Sequence, residues 1–163
     1  VVDDSLTLTL PVPPSGNILA IDPGTKCGWA AKAGAIYSGV WDLAPKRFEG
    51  GGMRYVRFHK YLAEIIDSLH IGQVYFEEVR RHLGTDAAHI YGGIVSHLTA
   101  FCEERGIPYS GIPVGTIKKL ATGKGNAGKL EMIVAAKALF PGTVPKDDNE
   151  ADALCILYAA EKA

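Results

Sequence analysis

The stretch ILAIDPGTKCGWA, Ile18 to Ala30, decides how the rest of the chain is read. Its aliphatic start reads as a buried strand, yet the run closes on Asp22 and is followed at once by Pro23 and Gly24. A carboxylate among strand-forming apolar residues is costly unless a cation or a hydrogen-bond donor meets it. Asp22 is therefore read as an acid held for chemistry. The Pro-Gly turn sends the chain back, so strands are expected at Asn17–Asp22, Cys27–Lys32 and Ala35–Leu43, joined as a hairpin meander by glycine-containing turns.

Outward from this start, periodicity assigns the remaining elements. Met53, Val56, Leu62, Ile65, Ile66 and Leu69 recur at helical spacing, which predicts an amphipathic helix over 53–69. QVYFEEV, Gln73 to Val79, is β-branched and aromatic and reads as a fourth strand. A second helix is expected over Asp86–Arg105 and a short fifth strand over Pro108–Val114. A short helix near Thr116–Ala121, the loop GKGNAGK, a helix over Lys129–Phe140 and a last helix from about Asp148 to Glu161 complete the chain.

At 163 residues the chain suits one domain. Residues 1–16, with LTLTL, three prolines and Ser15-Gly16, read as an N-terminal arm or linker, and 17–163 as the domain. A hydrophobic share of 47%, a charged share of 21% and a net charge of -1 are those of an ordinary globular protein, so attraction to a polyanion would have to come from local charge. Three scattered cysteines, Cys27, Cys102 and Cys155, without a CxxC pair exclude a disulfide framework and a thiolate zinc site. No apolar run reaches the roughly 18 residues of a membrane span, and the N-terminus carries no basic region followed by an apolar one. A soluble cytoplasmic protein without a membrane partner is expected.

Further acids stand where a purely structural acid is out of place. Glu77 and Glu78 lie within the fourth strand, and Asp147, Asp148, Glu150 and Asp152 crowd the start of the last helix. If strands one and four are neighbours at the centre of the sheet, Asp22 and Glu77 converge. Asp148 and Asp152, four apart, share one helix face. Carboxylates aimed at one point repel unless cations neutralise them, and hard oxygen donors suit Mg²⁺ or Mn²⁺. Asp147 and Glu150 are read equally well as a helix start, where capping and the macrodipole favour acids. Alternation turns Glu78 to the face opposite Glu77.

IDPGTKCGWA, YFEEV, GTIKKLATGKGNAGK and DDNEADAL, in this order and spacing, resemble the RuvC-like Holliday junction resolvases of the ribonuclease H-like superfamily, particularly their short phage and prophage forms. The resemblance implies an α/β, ribonuclease H-like fold with a five-stranded mixed sheet, three antiparallel strands followed by parallel ones, flanked by helices. It implies a crossover-junction endodeoxyribonuclease that nicks two strands of a four-way DNA junction by two-metal hydrolysis, with two Mg²⁺ per site and Mn²⁺ as substitute. Asp22, Glu77 and Asp152 match the family's metal-binding catalytic acids. The fourth ligand falls at Asp148 or at Asn149, which occupies the family's usual position.

Lys118, Lys119, Lys124 and Lys129 lie within twelve residues that contain no acid, a pattern suited to phosphate contact as well as to a solvated face. The resemblance favours DNA contact, and it gives Lys118 and Lys129, eleven apart, a part in binding or catalysis. Arg80, Arg81 and His82 extend the basic surface from the fourth strand. Arg80 stands where bacterial resolvases carry an aromatic wedge. A C₂ homodimer would match a substrate with two strands to cut. The helix over 86–105, with Gly92-Gly93, is its expected surface, unless that helix is simply buried within one chain. His59, His70, His89 and His97 are read as core or surface residues. A nuclease of the same fold acting on flaps or RNA–DNA hybrids, a non-cleaving branched-DNA-binding module and an ATPase-like domain are the alternative functions.

Overall fold

The computed structural model describes residues 16–82 and 84–162, so the arm expected over 1–16 lies outside the described residues except for Gly16. Five strands form one sheet in the order β3-β2-β1-β4-β5. They are β1 (Ile18–Asp22), β2 (Lys26–Lys32), β3 (Ile36–Asp42), β4 (Gln73–Glu78) and β5 (Tyr109–Pro113). β1 pairs antiparallel with β2, and β2 with β3, whereas β4 joins the other side of β1 in parallel and β5 extends it in parallel. The fold is the expected mixed sheet, with β1 and β4 side by side at its centre.

Five helices cover the sheet: α1 (Met53–Leu69), α2 (Thr85–Arg105), α3 (Val114–Thr122), α4 (Lys129–Leu139) and α5 (Asp148–Lys162). Strand alternation divides the core between the two faces. Leu19, Ile21, Val74 and Phe76 point toward α1 and α2, where Phe58, Leu62, Ile94 and Leu98 meet them. Ala20, Ala30 and Tyr75 point the other way, onto α5, with α3 and α4 behind it. α5 is buried almost all round, from Ala151 through Ala160. Such a helix has little solvent in which to place a charge.

The differences from the sequence expectation are confined to element ends. β4 stops at Glu78, short of Val79. α3 begins at Val114, directly after Pro113, and runs to Thr122. On α2, a Cβ on Gly93 would collide with the Tyr55 hydroxyl of α1, so the close approach at this glycine is made within the chain. Gly92 has open space beside it.

Candidate active site

The register Ala20↔Tyr75 and Ile21↔Phe76 leads directly to Asp22 and Glu77 at the adjoining strand ends. Both acids belong to the face that carries α5. Glu78 lies on the other face, since its Cβ and the Phe76 ring flank the same side of Gly111. The two central carboxyls lie within hydrogen-bond reach of each other, and the charges of Asp152 and Asp148 also act on Asp22. Burial, then the negative charge of Glu77, then that of Asp152 hold the Asp22 carboxyl well above the usual carboxylate range. Asp152 is pushed up to about 7 by burial and by Glu77 and Asp148, against the opposing pull of Lys118 and Lys129.

Gly28 explains how α5 comes close enough. It pairs with Asp22 across the hairpin, and a Cβ there would fall on the carbonyl oxygen of Asn149 and lie 3.3 Å from the Cβ of Ala153. The missing side chain lets the first turn of α5 settle onto the sheet beside Asp22. A glycine within a strand is a sequence signal of such close backbone approach. The reason for this one lies some 120 residues away in sequence and is visible only in the fold.

The helix start separates structural acids from those facing the site. Asp147 accepts a hydrogen bond from the Glu150 N–H at 2.9 Å, as an N-cap does. Glu150 is 7% exposed, and its carboxylate accepts from the Ser38 hydroxyl at 2.8 Å and the Lys146 N–H at 2.6 Å. These two acids tie the helix start to β3 and to the preceding loop. Asp148 turns elsewhere: its Oδ2 lies 3.4 Å from the Lys129 ammonium. Asn149 presents its backbone carbonyl to Gly28.

The basic residues divide in the same way. Lys118 and Lys129 reach the field of Asp152. Lys124 turns to Glu131, 3.7 Å away, and Lys119 is exposed on α3. Arg80 lies 3.7 Å from Glu78, and Arg81 is exposed. His82 packs on Tyr91, ring centroids 4.8 Å apart, with its Nε2 buried and unpartnered among the described residues. Sequence periodicity places Tyr91 on the helix over 86–105 but gives no hint that its hydroxyl binds the backbone at the end of β4. It also gives none of the His59–His97 pair, whose Nε2 and Nδ1 are 2.7 Å apart between α1 and α2.

Four carboxyl groups with two flanking lysines form an all-oxygen donor set of the kind that suits a hard divalent cation. Among the described residues no three His, Cys, Asp or Glu side chains stand together as a group that could hold a metal ion as placed. Like charges held in one site either take up protons or attract a cation, and the Asp22 and Asp152 carboxyls are raised first by burial and then by that repulsion. The chemistry of the donors, though not their present spacing, fits the expected metal.

No protein-family model matches the chain. It is 31% identical over 145 residues to the crossover junction endodeoxyribonuclease RuvC of an Anaeromyxobacter species, covering 85% of this chain and 69% of that one. The chain belongs to the RuvC family. The RuvC of Ruegeria pomeroyi is 29% identical over 144 residues, covering 86% of this chain and 87% of that protein. Among solved structures, Thermus thermophilus RuvC in complex with a Holliday junction superposes with a TM-score of 0.74 at 21% identity, over 88% of this chain and 91% of that one. The yeast mitochondrial Holliday junction resolvase Ydc2 gives 0.60 at 13% identity, over 91% and 79%. Both likenesses bear on the fold, and they share its RuvC-like, ribonuclease H-like architecture. No helix among the described residues is long and apolar enough to cross a membrane.

Proposed function

We propose that this RuvC-family chain is a divalent-metal-dependent endonuclease that resolves four-way DNA junctions by paired nicks. The observation that carries the reading is the convergence of Asp22, Glu77, Asp148 and Asp152, with Lys118 and Lys129 beside them, at one end of the sheet. The RuvC name of the relatives and the junction-bound neighbour of the same fold support the substrate.

In this reading Asp22, Glu77, Asp148 and Asp152 hold two Mg²⁺ ions, with Mn²⁺ able to replace them. Bound there, the ions would activate water for in-line attack and stabilise the leaving 3′ oxygen. Asp22, between Glu77 on one side and α5 on the other, would be the central carboxyl among the residues that hold the metal. Asp148 is taken over Asn149 as the fourth ligand, because its charge acts on both Asp22 and Asp152.

The chain's own groups supply orientation. Strand ends and the first two turns of a buried helix fix the acids, so little reorganisation is required during the reaction. Lys129 is exposed and near Asp148, where its ammonium can meet a phosphate oxygen. Lys118 and Lys119 on α3 and Lys124 in the loop after it continue a phosphate path, and Arg80, Arg81 and His82 extend it past β4. A C₂ homodimer would present two such sites to two strands, with Gly92 on the open side of α2.

The test is incubation of the protein with labelled mobile four-way junction, flap, RNA–DNA hybrid and linear duplex, in Mg²⁺, Mn²⁺ or chelator. Paired nicks in the junction, with metal only, are expected. Preference for flap or hybrid would move the chain to another nuclease class of this fold. Tight junction binding without cleavage in either metal would make it a binding module.

A further inference from the structure

The strand that carries Glu77 ends abruptly, and something outside the sheet holds its end. Pairing with β1 is recorded only to Ile21↔Phe76, and Pro23, just past the end of β1 on the side that the Glu77 carbonyl faces, has no N–H to donate. The backbone around Glu77 and Val79 therefore leaves the ladder where the Glu77 carboxylate must be fixed. Backbone groups at such a point need partners from elsewhere. Tyr91, early in α2, supplies one hydroxyl to both: it donates to the Glu77 carbonyl at 2.9 Å and accepts from the Val79 N–H at 3.0 Å.

The ring of Tyr91 is itself held. It packs against His82 and lines a cavity of about 430 Å³ whose other walls include Pro23, Gly24 and Thr25. Those three residues directly follow Asp22. One side chain thus abuts the segment after the first central acid and clamps the segment after the second.

We propose that Tyr91 is a positioning residue whose hydroxyl locks the Glu77–Val79 backbone and so sets the spacing of the Glu77 and Asp22 carboxylates for divalent cations. It contacts neither the cations nor the DNA. Its effect is exerted through the neighbouring backbone, as with the groups that orient metal ligands elsewhere. The inference rests on the metal-dependent reading above.

Tyr91→Phe keeps the ring, the His82 contact and the cavity wall while removing both hydrogen bonds. Mn²⁺ binding to the full chain, measured by titration calorimetry, is compared with the Mg²⁺ midpoint for single-turnover junction cleavage and with junction affinity in Ca²⁺. The expected result is a loss of about 10-fold in Mn²⁺ affinity, at the low end of what such orienting partners contribute. A matching rise in the Mg²⁺ midpoint should accompany it, with rate largely restored at saturating Mg²⁺ and junction affinity unchanged. A variant within twofold of the parent in both cation measures overturns the inference. So does one that loses junction affinity with its cation midpoint intact, since Tyr91 would then act at the DNA. Asp22→Asn, run in parallel, separates the failures: a parent that neither binds Mn²⁺ nor cuts overturns the functional reading along with this inference. A parent that does both, matched by Tyr91→Phe, overturns only the role of Tyr91.

Discussion

The two faces of the central sheet are made by the same strands to opposite specifications. Toward α1 and α2 the strands present Leu19, Ile21, Trp41, Val74 and Phe76 to Phe58, Leu62, Ile94 and Leu98. Toward α5 they present Ala20, Gly28 and Ala30 to Ala151 and Ala153, with Tyr75 and Ile112 as the larger residues of that face. Large residues bury area and stabilise, each full burial contributing about 1.5–3 kcal/mol. Small residues bring a helix close, and here that helix begins with carboxylates. Both faces bury a core, and the second also brings acids from three separated stretches of chain to one place.

The comparison breaks most completely if the acids of the thin face are dispensable. Asp22→Asn, Glu77→Gln and Asp152→Asn are each expected to reduce junction cleavage to background in Mg²⁺, because under the proposed function each removes a charged ligand from a rigid set. Junction binding in Ca²⁺ should survive, and circular dichroism should show the fold retained. Cleavage near the parent rate by any of the three removes that residue from the ligand set. The pair Asp148→Asn and Asn149→Ala decides the fourth position.

The next test exchanges the specifications of the two faces. Gly28→Ala adds a methyl group that meets the Asn149 carbonyl, so α5 must move outward. Overpacking of this kind costs about 1–3 kcal/mol, and the cleavage rate per folded molecule should fall with it. Phe58→Ala, on the thick face, should cost about 3–5 kcal/mol in denaturant unfolding. It should leave the rate per folded molecule unchanged. If Phe58→Ala instead slows cleavage while Gly28→Ala does not, the assignment of positioning to the thin face is wrong.

These contrasts also mark how far the sequence could be read. The strands and helices were legible because apolar periodicity is a local property, and Asp22, Glu77 and Asp152 were legible because each interrupts it. The choice between Asp148 and Asn149 was not, since positions three and four before Asp152 share its helix face equally well. Only the approach to Lys129 and to the other carboxylates separates them. Gly28 carried a local signal without its reason, which is the helix laid against it. The contacts of Tyr91 and of the His59–His97 pair carried none, because a side chain's partner across a packing interface leaves no trace in the spacing of its own segment.

A smaller effect is expected at the rim of the thin face. Lys118 and Lys129 both lie in the field of Asp152, but Lys129 also approaches Asp148. An alanine at a lysine that only contacts phosphate should lower junction affinity across sequences and reduce the slope of log K against log salt by about one. An alanine at a lysine that stabilises the transition state should leave that slope alone and slow single-turnover cleavage. Lys118→Ala is expected to show the first pattern and Lys129→Ala mainly the second. Unchanged slope, affinity and rate in both would mean that the DNA path lies elsewhere.

The smallest effect distinguishes the faces by the direction in which they titrate. On the thin face, Asp22 and Asp152 have carboxyl groups raised above their ordinary range, Asp152 to about 7. In chelator the folded chain therefore holds protons that the unfolded chain has released, and stability falls as pH rises from about 4 toward 7. Between the thick-face helices, His59 is lowered from its ordinary value, first by burial and then by His97, with Glu104 opposing. Tyr55 stacks on the His97 ring of this pair. Here the unfolded chain binds the extra proton, so stability falls as pH drops through about 6.5 toward the lower folded value. The two slopes oppose each other over an overlapping range, and the parent's profile alone would hide both. Urea unfolding in chelator separates them: Asp152→Asn should tilt the profile toward greater stability at higher pH, and His59→Gln should tilt it the other way. Mg²⁺ should reduce the acid slope and leave the histidine slope untouched. Equal profiles for parent and Asp152→Asn between pH 4 and 7 would mean that Asp152 does not titrate there, and the electrostatic account of the thin face would fail.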